Sequence, residues 1–114
     1  MGLINKVFLA GNLGNDPDVM ETEKAVKVAK FSIATGGRYT DKDGNEKDNT
    51  SWHHITAFGQ LAGSCEKHLA KGARVFVEGR LEENKWEDEQ GNQRRSVAII
   101  AVRVEFGSPK ENRE

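Results

Sequence analysis

Tyr39, Trp52, Phe58 and Trp86 each stand among cations or hydrogen-bond donors. Arg38 and Lys42 flank Tyr39, His54 lies between Trp52 and Phe58, Lys85 precedes Trp86, and Arg94 and Arg95 follow across the next polar turn. Aromatic faces interleaved with cations provide a platform on which bases can stack while phosphates are neutralised. Burial of all four rings at barrel ends or in a dimer contact is the alternative. Without a ligand, four outward rings would leave a large apolar patch exposed to water.

Other chemistry lacks candidates. No paired carboxylates, nucleophile triad or phosphate-binding glycine loop stands out. Gly11 and Gly14 lie in a strand pattern with no helix following, so they lack the context of a nucleotide fingerprint. His53, His54, Cys65 and His68 are ligand types, but adjacent strand residues His53 and His54 point to opposite faces and cannot converge on one ion. No catalytic residue, metal or cofactor is therefore expected.

The elements that must carry the aromatics are strands. In Ser51 to Phe58, the residues Trp52, His54, Thr56 and Phe58 share one face, and His53, Ile55 and Ala57 share the other. The aliphatic face is the natural core side, which leaves Trp52 and Phe58 outside. In Ala73 to Leu81, alternation predicts Val75, Val77 and Leu81 inward, with Arg74, Phe76, Glu78 and Arg80 outward. Ser96, Ala98, Ile100, Val102, Val104 and Phe106 trace one face of a long last strand, opposite Arg103 and Glu105. The second strand changes phase, from Val26 and Val28 to Ala29, Phe31 and Ile33, which predicts a β-bulge there. Asp41–Lys47 and Glu87–Asn92 read as hairpin tips. Leu61, Cys65 and Leu69 recur at helical spacing, and Lys71-Gly72 reads as the helix stop, so one short helix is expected between strands three and four.

Composition sets the outer bounds. The 114 residues are 36% hydrophobic and 31% charged, with 17 Lys+Arg against 18 Asp+Glu for a formal net charge of -1. That length supports a single domain and one core. Two units are expected: a domain over residues 1–106 and a short loose tail over 107–114. The longest apolar run, Val97 to Val102, is far below the ~20 residues of a membrane-spanning helix. The start of the chain shows no targeting pattern, so a cytoplasmic location and no membrane partner are expected. One cysteine, Cys65, excludes an intrachain disulfide. A near-neutral total is not the usual basic surplus of a nucleic-acid binder. The acids, however, gather at Asp16, Asp18, Glu21 and Glu23 and at Glu87, Asp88 and Glu89, while cations flank the aromatics. Screening limits each charge's reach to about 8–10 Å, so a zero sum can contain a basic track.

Five strands, a bulged second strand and a lone helix between the third and fourth describe an all-β, five-stranded Greek-key barrel, the OB-fold. Asn5-Lys6 through Gly11-Asn12-Leu13-Gly14 and Asp16-Pro17, then Ala34-Thr35, Trp52-His53, Phe58-Gly59, Leu61-Ala62, Lys71-Gly72, Val77-Glu78-Gly79 and Lys85-Trp86, closely resemble the bacterial and mitochondrial single-stranded DNA-binding protein family. The resemblance covers about residues 4 to 106. It implies sequence-independent binding that coats and protects single-stranded DNA in replication, repair and recombination. It places base-stacking rings at Tyr39, Trp52, Phe58 and Trp86, the four residues already singled out. Cationic or polar backbone contacts are implied at Lys6, Lys42, His54, Lys71, Lys85 and Arg94, and the cation-flanked aromatics add Arg38 and Arg95. A homotetramer is expected, a dimer next, with His53, Arg74 and Phe76 at the oligomer surface.

Some positions depart from the family pattern. Tyr39 stands where tryptophan is frequent, and Met20, Gln60, Glu82 and Asn84 stand where relatives often carry basic residues. A looser backbone path near the second hairpin is expected, and more reliance on stacking. Relatives usually continue through a linker to an acidic tip that recruits replication and repair proteins. Pro109 to Glu114 has neither, so tail-mediated partners are not expected, and the expected location is cytoplasmic, associated with the nucleoid. Competing readings are a primosome-type accessory OB-fold protein and a protein-interaction module acting through its aromatic face.

Overall fold

The computed structural model describes residues 2–107. Its strands are β1 (Val7–Leu13), β2 (Asp18–Glu21), β3 (Lys27–Thr35), β4 (Arg38–Thr40), β5 (Glu46–Asp48), β6 (Ser51–Phe58), β7 (Arg74–Glu87) and β8 (Gln93–Phe106), with one helix, α1 (Gln60–His68), between β6 and β7. The main sheet runs β1-β7-β8-β6-β3-β2, and an added β1–β3 pairing closes five of these strands into a ring, with β2 on the edge of β3. β4 and β5 form a separate hairpin. The ring is the expected five-stranded barrel. Its third and fourth strands are β6 and β7, because the short β2 and the β4–β5 hairpin add three strands to the count.

The core follows from period-two burial. Leu13, Phe31, Ile33, Ile55, Val75, Val77 and Ile99 form one buried cluster, closed at one end by Ala62, Cys65 and Leu69 of the helix region. Each fully buried aliphatic side chain stabilises the fold by about 1.5–3 kcal/mol. Burial also pushes the Cys65 thiol up to about 11, which leaves it a neutral packing group. The helix ends at His68. Leu69 is already extended and its N–H donates to the Cys65 carbonyl, so Lys71-Gly72 forms the next turn and is not the helix stop.

Three strand expectations are corrected. β3 keeps an unbroken register with both β2 and β6, so it carries no bulge. The apparent phase change at Val28 has another origin: Val28 stands in register between Met20 and Phe58 and is buried there, outside the core cluster. The slip lies in β8. Glu78 pairs with Arg103 but Gly79 with Ala101, which leaves Val102 unpaired and 60% exposed. Ile99 and Ala101 fill the core before the bulge and Val104 packs on it after, so the single face running from Ser96 to Phe106 is in fact two. Finally, Leu81 is exposed: it lies past Gly79, the last β7 residue paired with β1, at the edge of the core that its cross-strand partner Ile99 still enters.

Gly79 permits the bend. A methyl group there would overlap the Ile100 carbonyl and stand 3.0 Å from Cγ2 of Ile99. Both hairpin tips are built by an aspartate. Asp41 accepts from the N–H groups of Asp43 and Asn45, and Asp88 from those of Gln90 and Asn92.

Candidate nucleic-acid interface

The four aromatics are 47–55% exposed, so each is partly seated on the protein and partly open to solvent. Trp52 and Phe58 lie on the outer side of β6, separated by His54 and Thr56, as alternation requires. Trp86 lies on the outer side of the β7–β8 arm with Asn84, opposite Arg94. Tyr39 lies on β4, directly across from Lys47, a neighbouring cation that sequence reasoning passed over.

Trp52 has a specific seat. A methyl group on Gly14 would stand 2.8 Å from Cη2 of its ring and closer still to Cζ3. Gly14 is therefore a site residue that alternation could not identify, since the contact joins the end of β1 to the start of β6.

Between the β6 aromatics and the arm runs an open groove of about 400 Å³. Asn15, Ser32, His54 and Thr56 line one side and Asn84 and Ser96 the other, with Asp18 and Lys30 adding charge. Ser32 Oγ lies 3.4 Å from His54 Nδ1, and the Ser32 N–H donates to Asn15 Oδ1. The groove thus mixes hydrogen-bonding groups with an apolar floor that includes Val97 and Ala98, and its β6 residues His54 and Thr56 lie between Trp52 and Phe58 in the strand.

The expected backbone cations differ in availability. Lys85 and Arg95 both reach Glu83, at 3.7 and 3.0 Å, and Arg94 lies 2.9 Å from Asp88. Asp88 is held below the usual carboxylate range by the Asn92 N–H first and then by Arg94. Lys6 is 3.0 Å from Glu78, which also faces Arg103, so it sits away from the groove beside Phe8. Arg38 is across from Asp48, whose carboxyl is lowered mainly by Thr50 and less by Arg38 itself. Lys42 and Lys71 are exposed and lie in no ion pair among the described residues; the Lys71 N–H donates to Asp16. The arm carboxylates are engaged in intramolecular pairs, Glu82 with Arg80 and Glu83 with Lys85 and Arg95.

The expected oligomer residues separate. Arg74 and Phe76 share the outer face of β7, and Phe76 stacks on Phe8 at 6.3 Å with Arg103 over its ring at 5.6 Å. Phe8, exposed and outward between Val7 and Leu9, is a member of this patch that sequence reasoning missed. His53 has the opposite, core-side parity on β6, with Nε2 2.8 Å from Thr35 Oγ1. Among the described residues no three His, Cys, Asp or Glu side chains gather as a metal site, and no helix is long and apolar enough to cross a membrane. The 107–114 tail, apart from Gly107, lies outside the described residues.

Comparison with known proteins gives a consistent picture. The profile of the single-strand binding protein family matches residues 4–107. Single-stranded DNA-binding protein 1 of Chlorobaculum tepidum is 37% identical over 110 residues, covering 96% of this chain and 68% of that protein. The single-stranded DNA-binding protein of Xanthomonas axonopodis pv. citri is 41% identical over 103 residues, covering 90% of this chain and 57% of that one. Among solved structures, the Plasmodium falciparum protein in complex with single-stranded DNA superposes with a TM-score of 0.83 at 30% identity, covering 95% of this chain and 98% of that chain. A deletion mutant of the single-stranded DNA binding protein from Thermus aquaticus gives 0.78 at 30% identity, covering 94% of this chain and 52% of that one.

Proposed function

Because the chain belongs to the single-strand binding protein family, we propose that residues 1–106 form a sequence-independent single-stranded DNA-binding domain that coats and protects DNA exposed in replication, repair and recombination. One observation carries the reading: three half-exposed rings, Trp52 and Phe58 on β6 and Trp86 on the arm, stand on the same strands whose His54, Thr56 and Asn84 line an open groove. Tyr39 extends the platform from its own hairpin. Each ring offers a π-face worth about 1–3 kcal/mol per stacked base, whatever the base.

Arg38, Lys42, His54 and Lys71 contact the DNA backbone directly. Lys85, Arg94 and Arg95 do so after leaving their carboxylates, and Lys6 contributes from the Phe8 side. Binding is non-catalytic and weakens with salt by counterion release. The protein acts in the cytoplasm, associated with the nucleoid. It assembles into a homotetramer through the Phe8–Phe76–Arg103 patch with Arg74 beside it and through a separate contact at His53, and joining platforms raises the effective concentration of one DNA segment at the next.

Titration with oligo-dT while following tryptophan fluorescence tests this. Strong, salt-sensitive quenching is expected, and absence of quenching at low salt overturns the reading. Trp52→Ala and Phe58→Ala are expected to weaken binding with an unchanged melting temperature; the reverse pattern assigns those rings to the core.

A further inference from the structure

Lys30 is the groove's own cation. It lies on the outer side of β3, in register with Asp18 on β2 and Thr56 on β6, and it is the sole lysine or arginine lining the groove. Among the described residues it lies in no ion pair within 4.0 Å, although Asp18 is its direct cross-strand partner. The cations around it are differently placed: Lys27 is 2.8 Å from Glu66, Arg80 is 3.2 Å from Glu82, and Lys85, Arg94 and Arg95 are paired on the arm.

The position matters because of what must cross it. Trp52 and Phe58 bound the groove on β6, and Trp86 stands beyond it on the arm, on the same outer face as Asn84. A strand stacked on both sides passes over the groove, and the crossing segment needs a counter-charge. At about 400 Å³ the groove falls within the roughly 300–1,000 Å³ of small-ligand sites, room for one nucleotide of that segment. Lysine suits the task, since its ammonium is a compact point charge on a flexible stem that can follow a phosphate without fixing a base.

We infer that the groove seats one nucleotide of the bound strand and that Lys30 is its phosphate anchor. The inference rests on the single-stranded DNA reading above. Asp18 works against the same phosphate, so the groove holds a cation and an opposing carboxylate whose balance sets the affinity of the crossing.

Oligo-dT, oligo-dC and oligo-dA are titrated against the full chain and against Lys30→Ala, Lys30→Arg, Asp18→Asn and, as an exposed control outside the groove, Lys24→Ala, across a range of salt. Lys30→Ala is expected to weaken binding severalfold on all three oligonucleotides and to reduce the slope of log affinity against log salt by about 0.7, the value for one phosphate contact on a single strand. Lys30→Arg restores most of the slope, Asp18→Asn tightens binding, and Lys24→Ala changes neither quantity. A Lys30→Ala slope equal to that of the parent, or a loss confined to one base, overturns the assignment. Melting curves of each variant separate a folding defect from a contact defect. A parent protein that binds none of the oligonucleotides instead overturns the function on which the inference rests.

Discussion

The indole of Trp52 lies so close over Gly14 that no side chain fits between them: a methyl group at Gly14 would be 2.8 Å from Cη2 and 3.3 Å from Cε3. The six-membered ring of the indole is thus packed against backbone while about half of the residue stays open to solvent. A substitution at Gly14 must move the ring, because the backbone on which it rests belongs to the barrel. Gly14→Ala is expected to lower single-stranded DNA affinity by about 1 kcal/mol, the lower end of one stacking contact, or roughly fivefold. Fluorescence titration reads the loss, and a shifted tryptophan emission maximum in the free protein reports the displaced ring.

Glu83 holds two cations of the arm at once, Arg95 at 3.0 Å and Lys85 at 3.7 Å. In the proposed interface, DNA phosphates compete with that carboxylate for both cations. Glu83→Gln is expected to tighten binding at low salt and to steepen its salt dependence, with the advantage vanishing as salt rises. Stability should change by less than about 1 kcal/mol, as for other solvent-exposed pairs. A variant that binds like the parent at every salt concentration removes the arm cations from the interface.

Gly79 faces the Ile100 carbonyl where β8 gains its extra residue. Gly79→Ala is expected to cost more than about 2 kcal/mol of stability, since backbone on the opposing strand must give way. Chemical denaturation measures it. Unchanged stability would show that the bulge relocates freely along β7 and β8.

Asp88 closes the arm tip by accepting from Asn92, Arg94 and Gln90, which holds its carboxyl below the ordinary range. A carboxyl lowered by folding adds stability that is fully present above its unfolded value of about 4 and is lost as pH falls through the folded value. The tip, and with it the setting of Arg94, is expected to fray only below about pH 4 and to be unaffected near neutrality. Hydrogen exchange at the Asn92 amide across that range reads it, and protection that survives to the lowest pH counts against the Asp88 closure.

Alternation carried the outward setting of the β6 aromatics more faithfully than the sheet's irregularities. Trp52 and Phe58 fall outside by alternation alone, because Ile55 and Ala57 must fill the core and β6 has no bulge. Alternation failed where a buried apolar residue had a second source of cover. Val28 mimics a phase slip because Met20 and Phe58 flank it on the outer face, whereas the true slip at Val102 is masked by an apolar residue at every position from Val97 to Val102. Leu81 has inward parity but lies beyond the end of the β1–β7 pairing at Gly79, a boundary set by strand pairing and not by hydrophobic pattern. Gly14 and the groove were illegible for a related reason. They arise from residues distant in sequence that only the closed ring brings together. Lys30 did leave a trace, standing opposite the core-facing Phe31, but without the groove an outward lysine is an ordinary surface residue.

β7 and β8 are each 14 residues long, and their outer halves pair only with one another. In mechanical terms the interface has two kinds of support. Trp52 is mounted on the closed barrel and braced by Gly14, while Trp86 rides on a two-stranded cantilever held by its own ladder and by surface ion pairs. For the interface proposed above, a bound strand would rest at one end on the closed ring and at the other on a two-stranded arm whose only partners are its own two strands.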